Sequence, residues 1–162
     1  MGLDLVDTVW MDHGTLVDQF DTPEGVRAWL DDHGLPGGDG MIGHLVEARA
    51  AMRAMLEGRG PGALNAVLAH GSRRPLIGEA GPDELLVLDD PSWEAAWLAA
   101  ADLVRVLAER PDRVRHCGNP RCVLWFLDVS KNGSRRWCSM EVCGNRAKVN
   151  RFNRKSAHPS TG

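Results

Sequence analysis

Every cysteine in this 162-residue chain falls in one window, spaced Cys117-x4-Cys122-x15-Cys138-x4-Cys143. Two thiol pairs separated by a segment long enough to turn and return form the pattern of a metal site before that of a disulfide framework. Zinc suits four thiolates: it is soft enough to favour sulfur, prefers a tetrahedron and has no redox chemistry to damage its ligands. A closed shell of four cysteines leaves no position for water, so one structural Zn2+ is expected. Buried thiols or a redox pair are the alternatives, and His116, beside Cys117, is the rival ligand.

The residues around the cysteines carry their own signals. Val123 to Val129 is apolar and aromatic apart from Asp128, Asn132-Gly133 is a strong two-residue turn signal, and residues 134–138 read as a returning strand. Ser139 is placed to cap a final helix over 140–155, with Cys143 near its first turn, where free N–H groups favour a thiolate. Gly118 and Gly144 each follow a ligand, where a positive φ is expected. On the final helix, Arg146, Lys148, Asn150, Arg151, Arg154 and Lys155 spread over roughly 200° at about 100° per residue, with Val142, Val149 and Phe152 opposite. Lys131 at the turn and Arg135 and Arg136 before Trp137 extend the positive surface.

Charge divides the chain sharply. Residues 1–112 hold eight Lys/Arg and twenty Asp/Glu, a net of −12, whereas residues 113–162 hold eleven Lys/Arg against Asp128 and Glu141, a net of +9. The overall −3 conceals two electrostatic objects. The basic part is expected to meet an anionic partner, or the acidic part of its own molecule, or both. Three segments follow: an acidic, mostly helical domain over 1–112, a basic zinc module over 113–155 and a flexible polar tail over 156–162.

In the acidic part, Thr22-Pro23-Glu24 reads as a helix start carrying Val26, Trp29 and Leu30 inward and stopped by Gly34. Asp39 can cap a second helix whose inward face is Met41, Ile42, Leu45, Val46, Met52, Met55 and Leu56, ending before Gly58. A third spans about Pro61 to His70, closed by Gly71. Residues 75–77 and 85–88 look like one small β-hairpin. Asp90-Pro91-Ser92 opens a long helix with Trp93, Trp97, Ala100, Leu103, Val104 and Leu107 inward, ended by Pro111. The class is therefore α+β. Trp93 and Trp97 share a helix face as a core pair or a ligand clamp, with core favoured by their apolar stripe. Asp12-His13 and Asp31-Asp32-His33 could suggest a second metal site, but solvated loops and helix ends are the commoner meaning.

Beginning at Trp137, the run WCSMEVCGNRAKVNRFNRK resembles the CGNR zinc-finger family, whose naming motif stands here as Cys143-Gly144-Asn145-Arg146. The resemblance covers 113 to about 155 and includes Phe126-Leu127-Asp128, Arg136-Trp137-Cys138 and Lys148. The first 110 residues look like the ABATE domain that precedes this finger, through Leu3-Asp4-Leu5, Thr8 and Thr22-Pro23…Trp29-Leu30. Asp7-Thr8 stands where members often show Asn-Thr. The resemblance implies a stress-induced bacterial transcription regulator with Cys117, Cys122, Cys138 and Cys143 as zinc ligands and the finger as the DNA-binding part. It leaves Arg146 either contacting DNA or bracing the zinc site.

There is no basic, apolar leader at the N-terminus and no apolar run of the roughly 18 residues a membrane span needs, so a cytoplasmic protein is expected. No Gly-rich phosphate loop, nucleophile elbow or His-Glu-x-x-His pattern is present, which points away from an enzyme. The leading expectation is a DNA-binding regulator in which Lys131, Arg135, Arg136, Arg146, Lys148, Arg151, Arg154 and Lys155 meet the nucleic acid and the acidic domain senses a small molecule or protein. A zinc-stabilised adaptor for an acidic protein is the second reading, and an enzyme with an N-terminal pocket is the third. The sequence leaves homo-oligomer formation open.

Overall fold

The computed structural model describes residues 1–38 and 40–148. Asp39, the expected cap, and residues 149–162, among them Arg151, Arg154 and Lys155, lie outside the described residues. Among the described residues the helices α1 (Gly2–Val6), α2 (Pro23–Asp32), α3 (Met41–Leu56), α4 (Gly62–Leu68) and α5 (Glu94–Glu109) combine with antiparallel hairpins. The hairpins pair β1 (Val9–Asp12) with β2 (Thr15–Asp18), β3 (Gly71–Gly78) with β4 (Gly81–Leu88), and β5 (Val114–His116) with β6 (Trp125–Leu127). This is the expected α+β class.

The helix boundaries follow local chemistry. Thr22 Oγ1 accepts from the Gly25 N–H at 3.2 Å and Pro23 occupies the first turn, so α2 starts where its sequence demands. α3 and α5 form the centre of the core, where Leu45, Ala48, Met52, Ala99, Ala100 and Leu103 are fully buried. The small α5 residues admit α1 at close range: a Cβ on Gly2 would lie 2.7 Å from Leu103 N and 2.8 Å from Ala99 O. Asp102 of α5 then accepts from the Gly2 N–H at 2.8 Å, capping a five-residue helix that has no side-chain cap of its own.

Three expectations are corrected here. On α3 the expected Met41, Leu45 and Met52 are buried and Met55 and Leu56 pack on the core, but Ile42, Val46 and, on α5, Val104 are exposed, while Arg49 is only 6% exposed. Arg49 faces inward toward β2, where Nη1 and Nη2 donate to the two oxygens of Asp18 at 2.6 and 2.5 Å and Nη1 also reaches Thr8 Oγ1 at 2.8 Å. That bidentate clamp holds the Asp18 carboxyl below its usual range. The β1–β2 hairpin was not expected, because its strands are short and half-exposed and its His13-Gly14 turn, both at positive φ, lacks the usual Asn-Gly signature. Gly71 opens β3 and does not close the preceding helix.

Trp93 and Trp97 belong to the core. Trp93 lies between the rings of His44 and His70 at 3.9 and 3.8 Å, and Trp97 Nε1 donates to the Leu68 carbonyl at 3.0 Å. His13 pairs with its neighbour Asp12, and His33 stacks on Trp29 at 4.3 Å. Among the described residues neither histidine belongs to a metal-competent group. Among the described residues no helix is long and apolar enough to cross a membrane.

Candidate metal centre and its basic surface

The finger is assembled from a hairpin, but not the expected one. β5 pairs with β6 in the register Val114↔Leu127 to His116↔Trp125, so the loop between them carries Cys117 and Cys122. The loop is tightened by the Cys117 N–H on the Leu124 carbonyl and the Cys122 N–H on the Asn119 carbonyl, both at 2.9 Å. Residues 134–138 do not return along β6. They cross to the first knuckle, where the Gly118 N–H donates to the Arg136 carbonyl at 2.8 Å and the Cys138 N–H approaches Cys117 Sγ at 3.5 Å.

Asp128 is the reason for that path. It is 1% exposed, and its carboxylate accepts from Ser130 Oγ at 2.6 Å, the Ser130 N–H at 2.9 Å and the Arg135 N–H at 3.0 Å. These bonds, led by the Ser130 hydroxyl, hold its pKa below the ordinary carboxylate value. They convert 128–135 into a side-chain-pinned loop, in which Gly133 does adopt the positive φ expected of an Asn-Gly turn.

The four sulfurs lie within 4.8 Å of one another, with Cys122–Cys138 and Cys138–Cys143 both at 3.7 Å. A tetrahedron with Zn–S bonds of about 2.3 Å has edges of about 3.8 Å, so the donor set fits one zinc ion. No sulfur is bonded to another. Burial raises the Cys122 thiol to about 11 and pushes Cys138 up as well, so a cation is needed to hold both as thiolates. Burial also acts to raise Cys143, but the hydrogen bond from Asn119 and those of its neighbouring thiols prevail and lower it. Asn119 Nδ2 donates to Cys143 Sγ at 3.3 Å. His116 is outside the cluster and packs edge-on against Trp125 at 5.2 Å.

Ser139 caps the final segment as expected, accepting from the Val142 N–H at 3.3 Å, and Cys143 lies in the first turn, Met140–Gly144, ahead of helical residues 145–148. Val142 is exposed, contrary to the expected packing face. Gly118 and Gly144 have no positive φ; space is what they supply. A Cβ on Gly118 would meet the Arg136 carbonyl at 3.0 Å, and one on Gly144 would meet Met140 Sδ at 2.8 Å.

The basic residues divide into two groups. Arg135, which the sequence offers as a DNA contact, is committed to the fold: it lies 4.8 Å from the centroid of the Phe126 ring, Nε donates to the Trp137 carbonyl at 2.8 Å, and Nη2 donates to the Cys138 carbonyl. Arg113 likewise donates to the Ser130 carbonyl at 2.8 Å. Lys131, Arg136, Arg146 and Lys148 are exposed, as is Arg121, whose position in the first knuckle had given no signal. Asn119 and Arg135 brace the metal loops by hydrogen bonding, which is the role the sequence had offered to Arg146. The signal for Asn119 was its place inside the Cys117–Cys122 pair.

The finger is seated on the helical core. Asp7 Oδ1 accepts from the Trp125 N–H at 2.9 Å. Arg53 ties the same seam, donating from Nε and Nη2 to the Val6 carbonyl and from Nη1 to the Val123 carbonyl at 3.5 Å. Burial raises the Asp7 pKa to about 7, against the opposing effects of the Trp125 N–H and the Arg53 charge. A cavity of about 230 Å³ opens beside the thiols, walled by Trp10 and Met11 of β1 and by Leu124, Val142 and Arg146 of the finger.

Comparison with known protein families adds two matches. Residues 1–110 match the ABATE model, described as "Putative stress-induced transcription regulator", and residues 113–156 match the CGNR zinc finger. No curated protein matches the chain.

Proposed function

The chain belongs to the ABATE family and carries a CGNR zinc finger, and from that premise we propose that it is a transcription regulator that binds DNA through the finger while the helical domain senses an effector. The observation that carries this reading is the state of the finger's cations. Lys131, Arg136, Arg146 and Lys148 are exposed and, among the described residues, form no ion pair, although the rest of the molecule is acidic. Free cations on a scaffold held rigid by zinc are suited to phosphate contacts, and the metal supplies structure to that surface without taking part in a reaction. On this reading the protein is a binding module, not an enzyme.

The cavity between β1 and the finger supports effector sensing, since a ligand there would touch both parts of the molecule. A thermal-shift screen of metabolites tests that half of the proposal, because a ligand of the native state raises apparent stability. Silence across a broad screen counts against sensing.

Fluorescence anisotropy with mixed-sequence duplex DNA, titrated at several salt concentrations, tests the other half. About six phosphate contacts give a log–log salt slope of about −5. Changing Arg136 and Lys148 together to Ala, or Arg151 and Arg154 together to Ala, is expected to weaken binding at full zinc content. No binding at low salt by the zinc-loaded protein would favour instead a basic docking surface for an acidic protein.

A further inference from the structure

The cavity between β1 and the finger differs from an ordinary packing seam in what lines it. Cys122, Cys138 and Cys143 all border its volume of about 230 Å³, facing apolar walls supplied by Trp10, Met11 and Leu124. An apolar cavity of about 150 Å³ holds benzene, so this one has room for a small ring with one or two substituents. Four thiolates on a divalent ion leave two negative charges. Arg121 and Arg146 line the same cavity, form no ion pair among the described residues and bring two positive ones. The lining is thereby balanced, which suits a neutral molecule.

The sulfurs that meet this space are not equivalent. The thiolate is the nucleophilic form of cysteine, and a hydrogen bond to it stabilises the charge that attack on carbon must give up. Asn119 Nδ2 donates to Cys143 Sγ at 3.3 Å, the Cys138 N–H approaches Cys117 Sγ at 3.5 Å, and the Leu124 N–H favours the Cys122 thiolate. Among the described residues no N–H donates to Cys138 Sγ, whose neighbours are the sulfurs of Cys122 and Cys143. Cys138 is also the least buried of the four. It therefore combines the most reactive electron pair with the best access.

We propose that Cys138 is a covalent modification site for small neutral α,β-unsaturated carbonyl compounds, which enter this cavity and alkylate its sulfur. The sulfur pair forms a bond to the β-carbon, the C=C pair shifts toward the carbonyl, and the carbonyl oxygen takes the negative charge. Arg121 and Arg146 are the cations placed to stabilise that oxygen. Water then supplies a proton to the α-carbon, so the addition needs no oxidant and expels no leaving group. The product is an uncharged thioether, outside the set of thiolate, imidazole and carboxylate donors that holds zinc. Loss of this ligand opens the finger and dismantles the basic surface built on it. The inference gives the sensing cavity of the proposed function its ligand class and rests on that reading, whereas its chemistry does not require that the finger bind DNA.

N-ethylmaleimide, a neutral ring of this class, is the probe, added to the full zinc-loaded chain at less than one equivalent so that only first adducts form. Peptide mapping by mass spectrometry is expected to find at least about tenfold more adduct on Cys138 than on any other cysteine, with zinc released to a chelating dye in step with it. Val142 is an exposed wall residue, and Val142→Trp narrows the cavity. That change, and Arg121→Gln combined with Arg146→Gln, are each expected to slow the addition at least about fivefold at unchanged zinc content. Arg121→Lys with Arg146→Lys is expected to restore most of the rate, because the charge returns. First adducts spread evenly or placed on another cysteine, a Cys138 adduct that retains its zinc, or a rate indifferent to both the Val142 and the arginine changes would overturn the proposal. If Cys138 resists the probe while a metabolite still raises the melting temperature, this proposal alone falls and effector sensing stands.

Discussion

Asp7 offers the sharpest test of how the finger is seated, because burial and its polar partners at the seam pull its proton in opposite directions. Burial at the seam raises its pKa from 3.8 to about 7, while the Arg53 guanidinium and the Trp125 N–H favour the charged form. Asp4 lies near enough to add to the upward shift. If burial prevails, the native state keeps the proton over a range in which the unfolded chain has lost it. Asp7 then contributes its full stabilisation below pH 3.8, loses it as pH rises toward 7, and contributes nothing further above that. At about 1.4 kcal/mol per pH unit, the displacement corresponds to roughly 4 kcal/mol, and residual solvent contact brings the expectation to roughly 2–4 kcal/mol.

The perturbation is Asp7→Asn. Asn keeps an oxygen to accept the Trp125 N–H but does not titrate. Urea denaturation of zinc-loaded wild type and variant should give a stability difference that grows in favour of Asn from about pH 4 to about pH 8. Taking the difference at each pH removes the common pH dependence of zinc binding. A difference that stays flat with pH, or an Asn variant less stable than wild type near pH 8, would refute the reasoning and show that Arg53 keeps Asp7 ionised.

Other expectations concern the metal, the buried arginine and the glycines. Cys138→Ser should abolish stoichiometric zinc by elemental analysis, and chelation of the wild type should unfold residues 113–148 while α3 and α5 stay helical by amide hydrogen exchange. Arg49→Met leaves the Asp18 carboxylate with the Phe20 N–H and the Thr8 hydroxyl without the guanidinium, and should cost about 1–3 kcal/mol in chemical denaturation. Gly118→Ala should destabilise the finger by about 1–3 kcal/mol, and Gly144→Ala by less, because the first meets a backbone carbonyl and the second the end of an exposed methionine. Thermal unfolding of the two variants side by side checks that order.

What the sequence determined by itself was set by short-range chemistry. The cysteine spacing fixed the metal and its ligands, because four thiolates at those intervals have few other uses. Thr22-Pro23 and Ser139 marked where their elements begin, since capping acts over two to four residues, whereas residues 75–77 and 85–88 marked the hairpin but not its bounds, Gly71–Gly78 and Gly81–Leu88. The acidic and basic halves were countable without any coordinates.

What only the tertiary structure decided depended on residues distant in the chain. Whether Arg135 faces solvent or the carbonyls of the metal loop follows from the fold around the buried Asp128, and whether Arg49 is inside follows from an acid 31 residues earlier. Gly118 and Gly144 looked like conformational glycines from their positions, but it is space beside Arg136 and Met140 that requires them. The seam at Asp7 and Trp125 joins residues 118 apart, a separation no periodicity reports. A local pattern records what a residue can do; the charge or carbonyl brought opposite it by folding selects which of those it does.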